Sequence, residues 1–167
     1  MLDVEQLLER MTRDLRELSR ARGLDVLHPV GIRTGGVWIA RELRHRLGIE
    51  AECGELDIAF YRDDFSRIGL HPRVRPSWLP FETEGYHLLL VDDVIMSGRT
   101  IRAAMNELFD YGRPETITLA ALIDLGRREL PIQPDITGSR LALEPGQRIK
   151  LRGPEPLELG IEEVNHG

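Results

Sequence analysis

Asp92 and Asp93 stand side by side at the end of an apolar run, and Ser97-Gly98-Arg99-Thr100 follows after a short interval. Two adjacent carboxylates can accept hydrogen bonds from a pair of ligand hydroxyls or help to hold a divalent cation. A Ser/Gly/Thr turn that opens a helix can aim several backbone N–H groups at one point, where the helix dipole also favours an anion. The Ser97 and Thr100 hydroxyls add donors at the same place. A phosphate beside two carboxylates calls for a ligand with hydroxyls or a metal next to its phosphate. Ribose 5-phosphate has that shape, with hydroxyls facing Asp92 and Asp93 and phosphate in the turn. The plainer alternative is an Asp pair that only caps the next helix, since such turns often carry Asp, Ser and Thr for capping alone. Apolar strand, Asp pair, Ser-Gly-x-Thr and amphipathic helix in that order favour the phosphate reading.

Ligands of parallel α/β sheets sit beyond the carboxyl ends of the strands, so the turn needs a buried strand before it and a helix after it. His87-Leu88-Leu89-Leu90-Val91 is apolar without alternation, as expected of a strand covered on both faces. Ile101, Ala104, Met105 and Leu108 then recur at helical spacing up to Gly112-Arg113-Pro114. Elsewhere, Leu7, Leu8, Met11, Leu15 and Leu18 predict a helix over Val4–Arg22, stopped by Gly23. Residues 26–32 read as a strand leading into Arg33-Thr34-Gly35-Gly36. Val37, Ala40, Leu43 and Leu47 mark a second helix ended by Gly48. Residues 55–61 alternate and read as a strand, whereas residues 62–84 are polar and broken by Pro72, Pro76 and Pro80, as in a functional loop or flap. Residues 116–123 form another buried strand ending at Asp124. The tail after Pro131 is rich in proline and glycine and holds one strand candidate near residues 148–151. Strand and helix alternate through most of the chain, which predicts an α/β fold with an open, mainly parallel sheet flanked by helices, in a single domain over residues 1–167.

Composition narrows the function classes. The 167 residues suit one core. The formal net charge of −6 argues against a surface coated in positive charge for nonspecific nucleic-acid binding, though a local patch is compatible with it. Lys150 is the sole lysine, so no G-x-x-x-x-G-K-[ST] phosphate loop exists, and no G-x-G-x-x-G occurs either. Cys53 is the only cysteine, which excludes an internal disulfide and a multi-cysteine zinc site. No stretch of about twenty apolar residues occurs, and the N-terminus lacks a basic-then-apolar layout. A cytoplasmic protein with no membrane partner is the expectation.

Seven short segments carry a family resemblance between residue 12 and about residue 134: Gly31-Ile32-Arg33-Thr34-x-Gly36, Gly54-Glu55-Leu56-Asp57, Tyr61-Arg62-Asp63-Asp64, Val91-Asp92-Asp93-Val94, Ser97-Gly98-Arg99-Thr100, Tyr111-Gly112-Arg113-Pro114 and Arg128-Glu129-Leu130-Pro131. Together they resemble the phosphoribosyl diphosphate (PRPP) signature of the type I phosphoribosyltransferases. More narrowly they resemble the PyrR family, pyrimidine operon regulators that double as uracil phosphoribosyltransferases. The resemblance implies a type I phosphoribosyltransferase fold with a small hood and tail from about residue 125 and a flexible flap over about 62–84. It implies that uracil and PRPP are converted to UMP and pyrophosphate, with Mg2+ held mainly through PRPP and water near Asp92 and Asp93. Asp92 and Asp93 would take the ribose hydroxyls, and Val94, Ile95, Met96, Ser97, Gly98, Arg99 and Thr100 the 5-phosphate. Arg33, Thr34, Gly35 and Gly36 would form the pyrophosphate loop. Tyr61, Arg62, Asp63 and Asp64 would belong to the flap, where Arg62 either faces the departing pyrophosphate or pairs with Asp63 or Asp64. Asp124 and Arg128 would lie near the base.

Regulatory members of the family bind a hairpin of their pyr messenger RNA, and Thr12, Arg13 and Arg128 match their RNA contacts. Arg13, Arg16 and Arg20 fall on one helix face as a local basic stripe; ordinary pairing with Asp3, Glu9, Asp14 and Glu17 is the competing reading. Gly35 stands where better-known relatives carry arginine, Met96-Ser97 replaces Tyr-Thr, and Arg127 replaces histidine. Two functional readings follow: a uracil phosphoribosyltransferase that also regulates pyrimidine genes, or a nucleotide-sensing RNA-binding regulator with vestigial transfer. A different base specificity is a third. The resemblance also implies a homo-oligomer, dimer or tetramer.

Overall fold

The computed structural model describes residues 2–58 and 77–164. Helix α1 (Val4–Arg22) starts where the Asp3 carboxylate accepts hydrogen bonds from the Glu5 and Gln6 N–H groups. It ends at Gly23, whose φ of 65° reverses the chain. Its buried residues Val4, Leu7, Leu8, Met11 and Leu15 form one stripe. Strand β1 (Leu27–Ile32) and helix α2 (Gly35–Leu47) follow, and Gly48 closes α2 with φ 67°. After β2 (Gly54–Leu56) come β3 (His87–Ile95), α3 (Arg99–Asp110), β4 (Thr116–Asp124) and β5 (Ile136–Arg140). A hairpin of β6 (Gln147–Arg152) and β7 (Glu158–Glu163) completes the described chain.

The main sheet has the order β2-β1-β3-β4-β5, and every pairing in it is parallel. β6 and β7 form a separate antiparallel pair. Helices cover both faces, as a parallel sheet requires. On one side, Leu89, Val91, Ala120 and Leu122 pack with the apolar stripes of α1 and α2 and with Leu151 and Leu159 of the hairpin. On the other, Leu88, Leu90, Leu119 and Ala121 pack with Ile101, Ala104 and Leu108 of α3. Both faces of β3 and β4 are therefore apolar, which explains their unbroken hydrophobic runs.

Three expectations need correction. The strand expected over 55–61 is only Gly54–Leu56 among the described residues. Glu55 pairs on its outer side with Trp78 in an isolated antiparallel bridge, and the Asp57 N–H goes to the Ser77 hydroxyl instead of to a ladder. Second, β3 does not stop before the Asp pair: Asp92, Val94 and Ile95 pair with Ala121, Ile123 and Asp124 of β4. Third, the tail holds two further strands, β5 at the sheet edge and β7 beside β6.

Candidate functional site

From β1 the chain builds outward to β2, then returns to place β3 on the other side of β1 and continues to β4 and β5. The order reverses between β1 and β3, and a crevice opens at such a point outside the carboxyl ends of the two strands. β1 ends in residues 33–36 and the N-terminus of α2. β3 carries the Asp pair near its end and leads through residues 96–98 into the N-terminus of α3. Two helix N-termini, each with backbone N–H groups lacking intrahelical partners, thus follow adjacent strands.

The loop after β1 lies directly on β3. A methyl group on Gly36 would stand 2.6 Å from the Val91 carbonyl oxygen and 3.1 Å from the Asp92 Cα, so only glycine passes here without moving backbone. A methyl group on Gly35 would overlap the Asp93 carboxylate. Arg33 and Thr34 are joined by a cis peptide bond. The Arg33 side chain turns aside, with Nε 3.1 Å from Glu55 Oε1, while Arg41 holds the other Glu55 oxygen at 3.0 Å. Arg33 also lies 3.7 Å from Asp57.

Asp92 is buried and its Oδ1 accepts the Asp93 N–H at 2.8 Å; Asp93 is half-buried and its Oδ1 accepts the Val94 N–H at 2.9 Å. At the start of α3, Gly98 takes φ 93° as N-cap and, being glycine, offers no side chain to cap the helix. The Ser97 hydroxyl accepts the Arg99 N–H at 3.1 Å. A cleft of about 320 Å3 runs from Asp92 along residues 94–98 and Thr100 to Leu125, Arg127 and the hairpin residues Arg148 and Ile149. Of the sequence-predicted residues, Asp92, residues 94–98 and Thr100 therefore share one cleft, whereas Asp93 faces Gly35 of the segment packed against its strand and Arg99 does not line the cleft.

Arg127, Arg148 and Ile149 join this cleft from the far side. Arg127 stands out only through the family resemblance, and no local signal marks Arg148 and Ile149, because the hairpin meets the sheet only through the fold. Arg148 pairs with Glu162 at 3.1 Å, and Glu162, held also by Arg152, has its carboxyl pulled below the usual range by the two arginine hydrogen bonds.

Asp124 and Arg128 come together behind the turn at residues 96–98. Arg128 Nη2 donates to Asp124 Oδ2 at 2.7 Å and to Gln133 Oε1 at 3.0 Å, Nη1 to the Met96 carbonyl at 2.8 Å, and Nε to the Ile132 carbonyl at 2.6 Å. Burial alone would raise the Asp124 carboxyl, but the hydrogen bonds from Arg128 and from the Gly126 N–H outweigh it and hold the group below the ordinary range.

On α1, Arg13 and Arg16 are exposed and line a shallow groove with Glu9, His45 and Arg46. Thr12 borders it but is buried, and its hydroxyl donates to the Leu8 carbonyl at 2.7 Å. The flap residues Tyr61, Arg62, Asp63 and Asp64 lie outside the described residues. No helix among the described residues is long and apolar enough to cross a membrane.

Comparison with known proteins agrees with this geometry. Residues 3–142 match the phosphoribosyl transferase domain family. The chain is 60% identical over 154 residues to the bifunctional protein PyrR of Pseudomonas paraeruginosa, covering 92% of this chain and 91% of that protein. It is 55% identical over 163 residues to the bifunctional protein PyrR of Pseudomonas savastanoi pv. phaseolicola, covering 98% and 96%. Among solved structures, a hypoxanthine-guanine phosphoribosyltransferase from Bacillus anthracis superposes with a TM-score of 0.65 at 16% identity, covering 85% of this chain and 80% of that one. At that identity the superposition speaks for the fold, which is that of the type I phosphoribosyltransferases. A carboxylate pair and a helix-opening turn at the switch point of a parallel sheet, a matching domain family and near full-length relatives agree: the chain belongs to the phosphoribosyltransferases and, within them, to the bifunctional PyrR family.

Proposed function

We propose that this chain transfers the 5-phosphoribosyl group of PRPP to uracil, giving UMP and pyrophosphate, and that it also regulates pyrimidine biosynthesis genes. The observation that carries the reading is Asp92 sharing a cleft with residues 94–98 and Thr100, while Asp93, the next residue, lies against Gly35 of the glycine segment 33–36 packed on the same strand. Asp92 and Asp93 accept the ribose hydroxyls, the turn receives the 5-phosphate, and residues 33–36 with the N-terminus of α2 receive the pyrophosphate. The bond from the ribose C1 to pyrophosphate oxygen breaks as the bond to uracil N1 forms, and the N1 proton is lost to solvent. Positive charge develops on the ribose and negative charge on the leaving group. Catalysis then rests on positioning and on N–H groups and cations aimed at the pyrophosphate, with no protein nucleophile.

No cluster of three or more His, Cys, Asp or Glu that could hold a metal exists among the described residues. The adjacent carboxylates Asp92 and Asp93 suit Mg2+, which is commonly held by one or two carboxylates together with substrate oxygens and water. Asp92 and Asp93 are the residues that would hold it, through ligand hydroxyls or water. When bound with PRPP, Mg2+ neutralises charge on the pyrophosphate.

The test is uracil-dependent pyrophosphate release from PRPP with Mg2+, using an Asp92→Asn/Asp93→Asn variant as control and purine bases as competing acceptors. Turnover with uracil that disappears in the variant supports the proposal. Turnover only with a purine overturns the base assignment. A second reading draws on the basic groove at Arg13 and Arg16: a nucleotide-sensing regulator that binds a pyr messenger RNA hairpin and whose transfer activity is vestigial. UMP binding without turnover selects it. Association into a dimer or tetramer is part of either reading and is checked by light scattering.

A further inference from the structure

We infer that Arg128 is a positioning residue for the phosphate-binding turn: it holds the turn by its carbonyl side, so that the turn's N–H groups face the ligand. The inference rests on the reading that residues 94–100 receive a 5-phosphate. Three successive carbonyls of that turn are occupied from the loop after β4. The Leu125 N–H donates to the Ile95 carbonyl at 2.9 Å, Arg128 Nη1 to the Met96 carbonyl at 2.8 Å, and the Glu129 and Leu130 N–H groups to the Ser97 carbonyl at 2.9 and 3.1 Å. None of the peptide bonds between residues 95 and 98 is cis. In a trans peptide the carbonyl of one residue and the N–H of the next point in opposite directions. Tying down the carbonyls of residues 95, 96 and 97 therefore turns the N–H groups of Met96, Ser97 and Gly98 away from the 125–130 loop. Those three residues line the cleft.

Arg128 is the one side chain among these anchors. Its fork uses four N–H bonds, to Met96, Ile132, Asp124 and Gln133, so it cross-links the turn, the end of β4 and the 126–133 loop at once. Its side chain is only 13% exposed and that of Asp124 4%, so the pair lies in a setting where charge-assisted hydrogen bonds keep their strength. At metal sites, losing a residue that orients a ligating side chain typically costs tenfold to about a hundredfold in affinity or activity, and the same scale is expected of Arg128. The same geometry leaves Arg128 with one N–H beyond the four in use, which separates this role from direct contact with RNA.

The test compares wild type, Arg128→Met and Arg128→Lys, each first checked for folding by circular dichroism and melting. The ligands are UMP, titrated directly, and uridine, read as a competitor, which differ only in the 5-phosphate. In Arg128→Met the UMP affinity is expected to fall about tenfold, with uridine affinity within about twofold of wild type. Lysine keeps the charge beside Asp124 but lacks the fork, so Arg128→Lys should recover only part of the loss. Amide resonances of Met96, Ser97 and Gly98 should shift in both variants before any ligand is added. Equal losses for UMP and uridine, or unchanged UMP affinity, overturn the inference; if Arg128→Met does not fold, Arg128→Lys is judged by the same criterion. Wild-type protein that binds neither UMP nor PRPP overturns the phosphoribosyl reading itself, and the inference falls with it.

Discussion

The Asp93 carboxylate lies against the α-carbon of Gly35, so the start of α2 and the acidic pair near the end of β3 share one surface with no side chain between them. The neighbouring contact differs in kind: at Gly36 the opposing atoms are the Val91 carbonyl and the Asp92 Cα, which are backbone. A carboxylate can swing away, whereas a strand paired on both sides cannot move without breaking its ladder.

Gly35→Ala and Gly36→Ala should therefore separate function from stability. Gly35→Ala is expected to fold normally and to raise the KM for PRPP about tenfold by displacing Asp93, a loss worth about 1.4 kcal/mol. Gly36→Ala should lower unfolding free energy by about 1–3 kcal/mol through overpacking. Urea denaturation of both variants, alongside their PRPP kinetics, checks the contrast.

Asp93→Asn keeps an oxygen able to accept the Val94 N–H but removes the negative charge offered to ribose hydroxyls. Hydrogen bonds to a charged group are worth about 1.5–3 kcal/mol, so PRPP affinity by calorimetry should drop by about tenfold to a hundredfold. Unchanged affinity would remove Asp93 from the ribose-binding role.

Reversing Arg13 and Arg16 to glutamate should leave UMP affinity intact, since both side chains are exposed on α1 and outside the cleft. RNA affinity should fall, and the slope of log affinity against log salt should flatten by about 0.7–0.9 for each phosphate that is no longer neutralised. Equal RNA binding by wild type and the double variant at matched salt would dismiss the groove as an RNA surface.

Acid should act on the Asp124–Arg128 pair. A carboxyl held below its ordinary value in the folded protein contributes stability in full above its unfolded-state pKa of about 3.9. That stability is lost as the pH falls through the lower folded-state value. Asp124→Asn should cost about 1–3 kcal/mol at pH 7. It should also show a shallower fall in Tm between about pH 4 and pH 2 than wild type, as melting curves across that range will reveal.

Cys53 is buried, and burial pushes its thiol up to about 11. The thiolate is the reactive form, so at pH 8 labelling by a disulfide reagent should run at least about a hundredfold slower in native protein than in denaturant. Rapid native labelling would show that this part of the fold opens readily.

The helices and the central strands were legible because their signals are local. The stripe of Leu7, Leu8, Met11 and Leu15, the glycines that close α1 and α2, and the run at Leu88-Leu89-Leu90-Val91 each act within a few residues. The Asp pair and the Ser-Gly-x-Thr turn were legible for the same reason, since a strand, a turn and a helix N-terminus follow one another in the chain.

What escaped depends on partners distant in sequence. β5 exists because Ile136 and its neighbours lie beside β4, and β7 because it pairs with β6; neither has an apolar pattern strong enough to declare itself. β3 runs on to Ile95 because β4 supplies its ladder partners. Arg128 stands out in the sequence only through a family resemblance; Asp124, Ile132 and Gln133 are near it in the chain, but the fold alone brings Met96 within reach of its fork. The sequence by itself thus determined the elements and the chemistry at their ends, through periodicity and capping. Tertiary structure alone decided that Gly35 faces Asp93 and that Arg128 reaches the Met96 carbonyl, because both rest on packing between segments whose contact no local pattern encodes.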